Sequence, residues 1–217
     1  MTLPDLPVSE ERTHDRVRLE LPGEPARLDL AELFGNRNPV ELEIGVGKGR
    51  FVLLAAWSRR DVNFLGVEYA RKYLEKAIDR VGKRGLTNVR LAHAEAFSFL
   101  RDRLPDGSLA GIHVYFPDPW PKKRHHKRRL FRPEVVAEFA RVLRPGGLLR
   151  AVTDHPDYAP VIREVMAASP DFEDAGRDPS LWELPGMGDY TTLGVTNFEI
   201  KYRREGRPIQ RFAWRRR

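Results

Sequence analysis

The chain has 217 residues and no cysteine, and its 38 lysines and arginines outnumber its 31 aspartates and glutamates, for a formal net charge of +7 at pH 7. The lack of cysteine excludes disulfides, thiolate catalysis and cysteine-ligated metal. The length fits one large domain, and the positive charge favours an anionic partner, with a nucleic acid first and an anionic membrane surface second.

The first 16 residues contain prolines and acids and no apolar core, which argues against a signal peptide. No window reaches the roughly 18 apolar residues of a membrane span, so we expect a cytoplasmic protein with no membrane partner. Residues 1–39 show no clean periodicity apart from a briefly helical pattern at 28–34. We expect an irregular N-terminal extension that packs on or precedes the core of a single domain, 1–217, whose state as monomer or homodimer stays open.

From residue 40 onward, short apolar strands alternate with amphipathic helices. The predicted strands are 40–44, 62–68, 88–92, 109–116 and 148–154, and the predicted helices are 50–60, 70–84, 95–104, 133–143 and 156–169. A turn is predicted at 144–147 between the last helix–strand pair. This β-α-β-α order predicts an α/β fold with a Rossmann-like, doubly wound and mostly parallel sheet that is covered on both faces.

The C-terminal part follows a different pattern. Residues 170–194 are rich in proline, glycine and aspartate, which predicts a long loop of the kind that is often functional or mobile. Residues 197–204 and 207–216 alternate in polarity around a Glu-Gly pair at 205–206, and this predicts an antiparallel hairpin.

A glycine turn, GVGKG, follows the first strand. Gly45 and Gly47 allow a ligand to approach the backbone closely, but the G-x-G-x-G spacing differs from the G-x-G-x-x-G of dinucleotide-binding proteins. Glu43 lies just before the turn and would repel a pyrophosphate. Glu68 ends the second strand, where a carboxylate can accept both hydroxyls of a ribose. The pattern therefore favours a cationic nucleoside cofactor without phosphate, such as S-adenosylmethionine, over NAD.

Two further acids follow the third and fourth strands. Glu95 can accept a hydrogen bond from the exocyclic amine of an adenine, or it can serve as a first-turn acid of the next helix. Asp118 would meet a cofactor that lies across the glycine turn, and Pro117 and Pro119 stiffen its own turn, which suits positioning catalysis. Trp120 beside it can stack on a base or pack against the turn.

A run of basic and imidazole side chains comes next, comprising Lys122, Lys123, Arg124, His125, His126, Lys127, Arg128 and Arg129. Beside a cofactor site, such a run predicts contacts with a nucleic-acid phosphate backbone; the alternative is a solvated charged loop. Adjacent histidines in a cationic run make a poor metal site, so we expect no metal.

The segments LEIGVGKG, GVE, FPDPWPKKRHHKRR, LRPGG, TDHPDYA and TNFE, in this order and spacing, resemble the tRNA (guanine-N7-)-methyltransferase family. The resemblance covers nearly the whole chain from about residue 38. It implies a class I S-adenosylmethionine-dependent methyltransferase fold and methyl transfer to N7 of a guanosine in the variable loop of tRNA.

The resemblance also implies roles for single residues. Cofactor-binding acids would be Glu43, Glu68, Glu95 and Asp118, with Asp118 also at the catalytic position. Substrate-binding residues would be Lys122, Asp154, Thr196, Asn197, Phe198 and Glu199. RNA-contacting residues would be Arg124, His125, His126, Lys127, Arg128 and Arg129. Two positions depart from the family pattern, because Glu95 stands where Asp is frequent and Pro121 where His is common.

Guanine N7 carries an in-plane lone pair, so its attack on a sulfonium methyl group requires no strong base. The protein has to align the reacting atoms and accommodate positive charge on the purine. We predict that Asp118 orients the base or stabilises the developing cation, and that Asp154 and Glu199 accept hydrogen bonds from N1–H and the amino group of guanine. The alternative for Asp154 and Glu199 is a structural salt bridge with an arginine.

Two rival functions fit part of the pattern. FPDPW loosely resembles the motif of nucleic-acid amino-methyltransferases, in which an acid or amide, two prolines and an aromatic residue follow the fourth strand. A basic RNA-binding module without activity would explain the charge, but it would not explain the acids around the glycine turn.

Overall fold

The computed structural model describes residues 6–176, 178–187 and 195–217. Within these ranges the strands are β1 (Arg18–Leu19), β2 (Val40–Ile44), β3 (Asn63–Glu68), β4 (Val89–His93), β5 (Leu109–Tyr115), β6 (Leu143–Thr153), β7 (Phe172–Asp174) and β8 (Gln210–Arg216). The helices are α1 (His14–Val17), α2 (Leu30–Phe34), α3 (Arg50–Ser58), α4 (Arg71–Gly82), α5 (Ala96–Arg103), α6 (Pro133–Val142), α7 (Tyr158–Ala167) and α8 (Asn197–Arg204). Short 3₁₀ helices lie at Lys123–Arg128 and Pro179–Trp182.

The described strands form one sheet in the order β1-β4-β3-β2-β5-β6-β8-β7. The pairs from β1 through β6 are parallel, and β8 runs antiparallel to both β6 and β7. The predicted doubly wound, mostly parallel α/β fold is confirmed. The chain moves outward from β2 in both directions, so the switch point lies between β2 and β5, and ligands of such sheets bind at the carboxyl ends of the strands there.

Two apolar clusters cover the two faces of the sheet. One surrounds Leu42 with Phe99 of α5 and Phe139 of α6, and the other packs Phe51 of α3 and Leu74 of α4. Every residue of β2 is buried, as expected for a central parallel strand covered on both sides. This rigid centre fixes the loops that follow β2 and β5.

Residues 197–204 form α8 and not the first strand of a hairpin; the antiparallel C-terminal strands are β7 and β8. The alternating apolar positions suggested a strand, but Phe198 and Tyr202 also lie four residues apart on one helix face, with ring centroids 5.8 Å apart. Thr196 decides the outcome because its hydroxyl oxygen accepts the N–H of Glu199 at 3.0 Å and so caps the helix.

Two other segments differ from the prediction. The turn 144–147 lies inside β6, where the ladder passes from Leu109 and Leu143 directly to Gly111 and Leu148, so that these residues bulge from the strand. The extension 1–39 is not irregular throughout, since β1 adds an edge strand to β4 and a short helix stands on each side of β1 along the chain.

The predicted long loop, 170–194, is only partly covered by the described residues, and residues 188–194 lie outside them. Its first part forms β7, and residues 178–187 pack Leu184 and Met187 into the apolar cluster beside α3. Residues 178–187 are therefore a part of the predicted loop that packs on the core of the protein. Across the described part of the chain, no helix combines the length and apolar character needed to cross a membrane.

Candidate active site

A cleft of about 290 Å³ opens at the carboxyl ends of β2 and β5. The glycine turn forms one wall of the cleft and the start of α8 forms the other. The predicted site residues that line it are Glu43, Gly45, Gly47, Thr196, Asn197 and Phe198. The structure therefore brings together two predicted sets that lie about 150 residues apart in the sequence.

The glycines of the turn serve two different purposes. Gly45, Gly47 and Gly49 all have left-handed backbone, with φ of +78°, +53° and +72°. A Cβ at Gly45 or Gly47 would meet no atom within 4 Å, so these two residues leave space beside the cleft. A Cβ at Gly49 would lie 2.7 Å from Cβ of Ala77, so this glycine allows α3 to pack closely against α4.

Glu68 holds the glycine turn through its backbone. Its Oε2 accepts the N–H of Gly47 at 2.9 Å, and its Oε1 accepts the N–H of Ala70 at 2.8 Å. A carboxylate oxygen can accept a second hydrogen bond. Glu68 can therefore fix the turn and still accept the hydroxyls of a ribose.

Glu43 is a buried acid beside the cleft, with only 3% of its surface exposed. Burial raises the pKa of this carboxyl well above its usual value, a hydrogen bond from the N–H of Val52 opposes that shift, and the nearby charge of Glu68 adds to it. Within the described residues, Oε2 of Glu43 has no hydrogen-bond partner. A cation in the cleft would provide that partner and favour the ionised acid.

A row of buried polar side chains, not predicted from the sequence, supports the floor of the cleft. Arg59 donates two hydrogen bonds of 2.8 Å to the carboxylate of Glu41, which accepts a third from Nε2 of His113 at 2.8 Å. The other ring nitrogen of His113 lies 2.9 Å from the hydroxyl of Tyr115, a residue that lines the cleft. Burial lowers the pKa of His113 to about 4 although Glu41 opposes the shift.

At this pKa His113 is neutral at pH 7, so the direction of each hydrogen bond follows. Nε2–H donates to Glu41, and Nδ1 accepts from the hydroxyl of Tyr115. The ring of Tyr115 is further held by an edge contact with Phe51, with centroids 4.7 Å apart. The sequence gives only a weak indication of this polar row: a charged side chain, Glu41, and an imidazole, His113, lie at inward positions of two otherwise apolar strands.

Asp118 is exposed in the turn that follows β5. The residues on either side of the Pro-Asp-Pro segment, Phe116 and Trp120, have left-handed backbone with φ of +54° and +41°, a conformation that strains any residue with a side chain. Phe116 contacts Phe198 of α8, with ring centroids 6.2 Å apart. The strained turn thus packs against the start of α8 through Phe116, and Asp118 itself is not among the described residues that line the cleft.

The basic run is folded onto this turn. Trp120 packs against the run, with the guanidinium of Arg128 5.0 Å above its ring and His125 edge-on at 5.7 Å. Of the two alternatives given for Trp120, stacking on a base or packing within the protein, the structure therefore shows the packing. Most of the run is exposed, namely Lys122, Lys123, Arg124, His126, Lys127 and Arg128.

The predicted guanine acceptors are both paired with arginine. Asp154 accepts from Nη1 of Arg207 at 2.9 Å. Glu199 is 2% exposed and accepts from Val195 N–H at 3.0 Å, from Arg203 at 2.7 Å and from Arg211. The salt-bridge alternative is realised for both acids. Contact with a base would require the buried Glu199 to give up partners, whereas Asp154 accepts from Arg207 through one oxygen and can accept through the other.

Glu95 caps α5, because its carboxylate accepts from the N–H groups of Phe97 and Ser98 at 3.0 and 2.8 Å. It also lines a second cavity of about 570 Å³, together with Tyr69 and Trp120. Glu95 therefore realises the helix-capping alternative while facing a separate cavity from Glu43. No group of three or more histidines and acids in the described ranges is arranged to hold a metal ion.

Comparisons with known proteins identify relatives of this chain. A family model described as a putative methyltransferase matches residues 37–212. The tRNA (guanine-N(7)-)-methyltransferase of Streptomyces avermitilis is 44% identical over 164 residues, covering 76% of this chain and 57% of that protein. The enzyme of the same name from Nocardia farcinica is 38% identical over 209 residues, covering 94% and 76%. That of Bordetella pertussis is 45% identical, covering 69% and 59%.

The chain thus spans less than 60% of the length of the Streptomyces and Bordetella proteins that it matches. Among solved structures, the aminoglycoside resistance methyltransferase NpmB1 superposes with a TM-score of 0.56 at 19% identity, covering 89% of this chain and 95% of that one. An antibiotic related methyltransferase superposes with a TM-score of 0.54 at 16% identity, covering 88% and 96%. These two similarities establish the fold.

Proposed function

This chain belongs to the tRNA (guanine-N7-)-methyltransferase family, and from that premise we propose that it transfers a methyl group from S-adenosylmethionine to N7 of a guanosine in the variable loop of tRNA. The observation that carries the proposal is the buried Oε2 of Glu43 at the carboxyl end of β2, which has no hydrogen-bond partner among the residues that the structure describes. A tRNA substrate is consistent with a cytoplasmic protein.

The cleft fits the chemistry of this cofactor. Gly45 and Gly47 provide space beside the backbone, Glu68 offers acceptors for ribose hydroxyls, and Glu43 offers a negative charge to a cationic group. Glu95 lines the second cavity, so it would accept from the adenine amine only if the cofactor extends from the cleft into that cavity. When bound, S-adenosylmethionine supplies an electrophilic methyl group on a positively charged sulfur.

On the substrate side, the protein has to present N7 of guanine in line with the methyl group and to stabilise the positive charge that appears on the purine. The exposed carboxylate of Asp118 would serve both tasks, and the packing of its turn through Phe116 against Phe198, a residue that lines the cleft, supports this role. Phe198, which is 50% exposed and lines the cleft, offers a ring on which the base can stack. Lys122 and the exposed part of the basic run would bind tRNA phosphates.

The test is incubation of the purified protein with unmodified tRNA and methyl-labelled S-adenosylmethionine, followed by digestion to nucleosides. We expect label in 7-methylguanosine. Label in an amino-methylated nucleoside would instead support the amino-methyltransferase function. Cofactor binding by calorimetry without label in any nucleoside would show that tRNA guanosine N7 is not the substrate, and the absence of cofactor binding would contradict the assignment of the cleft.

A further inference from the structure

The basic run that follows Asp118 contains two kinds of side chain. Arg124 and Lys127 are exposed, whereas Arg129 is partly buried and points toward the protein. We infer that Arg129 is a positioning residue for the turn 116–120, and not a contact for RNA phosphates. This inference rests on the proposed function and refines the role of one residue in it.

The contacts of Arg129 join the turn to α7. Its Nε donates a hydrogen bond of 2.8 Å to the carbonyl oxygen of Pro119, the residue directly after Asp118. Its guanidinium lies 5.0 Å from the ring centroid of Tyr158. Tyr158 is itself fully buried, and its hydroxyl accepts the N–H of Phe131 at 3.1 Å. Arg129 therefore connects the turn to a fixed point in the core.

The turn has a particular need for such a contact. Phe116 and Trp120 both have left-handed backbone, which is unfavourable for residues with a side chain. Pro117, Pro119 and Pro121 have no backbone N–H, so three of the five residues 117–121 cannot donate hydrogen bonds that would hold the turn. A donor from outside the turn, aimed at the carbonyl next to Asp118, supplies this constraint.

The exposed members of the run differ in what they can do. The Arg124 side chain contacts His125 at 3.3 Å on the surface and leaves the turn carbonyls untouched in the described contacts. It serves as the matched control, since it is also an arginine of the same run. Removal of a phosphate contact weakens RNA binding and lowers its salt dependence, whereas misplacement of the turn slows methyl transfer.

The experiment compares Arg129→Lys and Arg129→Gln with Arg124→Gln. For each variant, the single-turnover methylation rate is measured at saturating tRNA and cofactor, and the tRNA Kd is measured over a range of salt concentrations. We expect both Arg129 variants to lose about 10–100-fold in rate with the salt slope unchanged. We expect Arg124→Gln, a variant of the proposed RNA-binding surface, to raise the tRNA Kd and to reduce the salt slope by about one, with a smaller effect on the rate than either Arg129 variant.

Arg129→Lys is the sharpest variant because lysine keeps the charge for a phosphate but loses the planar fork that reaches the carbonyl and stacks on Tyr158. A wild-type rate in Arg129→Lys, together with a reduced salt slope in Arg129→Gln, would overturn the inference. Hydrogen exchange of peptides that cover 116–132 gives a readout independent of activity. Faster exchange in Arg129→Gln and not in Arg124→Gln supports the positioning role, and equal exchange contradicts it, even if the wild-type protein fails to methylate tRNA.

Discussion

The two walls of the cleft use the same type of residue in opposite ways. On the wall of the glycine turn, Glu43 and Glu68 are held by backbone N–H groups and have no arginine among their described contacts. On the wall of α8, Glu199 is buried between Arg203 and Arg211. The first two acids keep acceptor capacity that a ligand can use, whereas the carboxylate of Glu199 is occupied by arginines and connects α8 to β8.

The difference shows that an acid in a cleft does not by itself identify a binding site. A carboxylate that is held by one or two backbone amides still has oxygen lone pairs that can accept further hydrogen bonds. A carboxylate that is paired with guanidinium groups already has its acceptor sites occupied by charged donors. The partners of each acid therefore separate ligand-binding acids from structural ones, and substitutions can test this separation.

The largest effect of a substitution is expected at Asp118, a residue that belongs to neither wall of the cleft. Under the proposed function, Asp118→Asn removes the negative charge that would stabilise the developing purine cation while it keeps the shape of the side chain. We expect the single-turnover methylation rate to fall by about 10²–10³-fold, measured at saturating tRNA and cofactor. Asp154→Asn is the control, because its acid is already paired with Arg207. Near-normal turnover in Asp118→Asn would contradict the catalytic assignment.

The wall of α8 is tested by stability. Glu199→Gln weakens the contacts to Arg203 and Arg211 and leaves a buried amide in place of the charge. Because both arginines are partly exposed, we expect a moderate loss of about 2 kcal/mol in the free energy of unfolding, measured by urea denaturation. A stable variant with strongly impaired tRNA binding would show instead that Glu199 contacts the substrate.

For the wall of the glycine turn, substitution of Glu43 is expected to have the opposite result, namely higher stability and weaker ligand binding. Its pKa is raised in the folded protein, so the stability that the protonated acid contributes at low pH is lost as the pH rises above the unfolded value of about 4.3. Glu43→Gln removes this cost and keeps an acceptor for Val52. We expect a higher Tm at pH 8 in the absence of cofactor.

Under the proposed function, the same variant also loses the charge that a bound cationic cofactor would favour. We expect the cofactor Kd from calorimetry to rise by about 10-fold, or about 1.4 kcal/mol. A fall in both stability and affinity would place Glu43 with the structural acids of the other wall, and the comparison between the walls would fail.

The smallest expected effect comes from the row beneath the cleft. The folded pKa of His113 is about 4, below the unfolded value of about 6.5, so the unfolded chain binds more protons between these values and stability falls as the pH falls. We expect a loss of about 1 kcal/mol between pH 6.5 and 5.5 in the wild type. His113→Leu would flatten this slope, and an equally steep slope in the variant would assign it to other groups.

The sequence predicted best the parts that are determined by local pattern. The strand 40–44 has the predicted bounds because it is a short apolar run between punctuating residues. The glycine turn and the acid at the end of β3 face each other because parallel strands end at the same edge of the sheet. Both inferences need only periodicity and the topology of a doubly wound fold.

Pairing between distant residues was not predictable from pattern. The contact of Glu41 with His113 joins residues 72 positions apart, and no local signal indicates which inward polar side chains will meet. The same holds for Glu199, whose partners include an arginine 12 residues later on β8. The apolar residues of α8 alternate, as in a strand, and also lie four positions apart, as on one face of a helix, so the pattern alone was ambiguous. The cap at Thr196 favours the helix.

The buried row from Arg59 to Tyr115 has a consequence for how this sequence can diverge. Each member satisfies the next, so loss of any one leaves a polar atom without a partner in the core. Relatives that lack His113 are therefore expected to lack the hydroxyl at position 115 as well, since Glu41 keeps both hydrogen bonds from Arg59 without the imidazole. The imidazole and the hydroxyl would change together, and a chimaera that has only one of them would fold less stably than either parent.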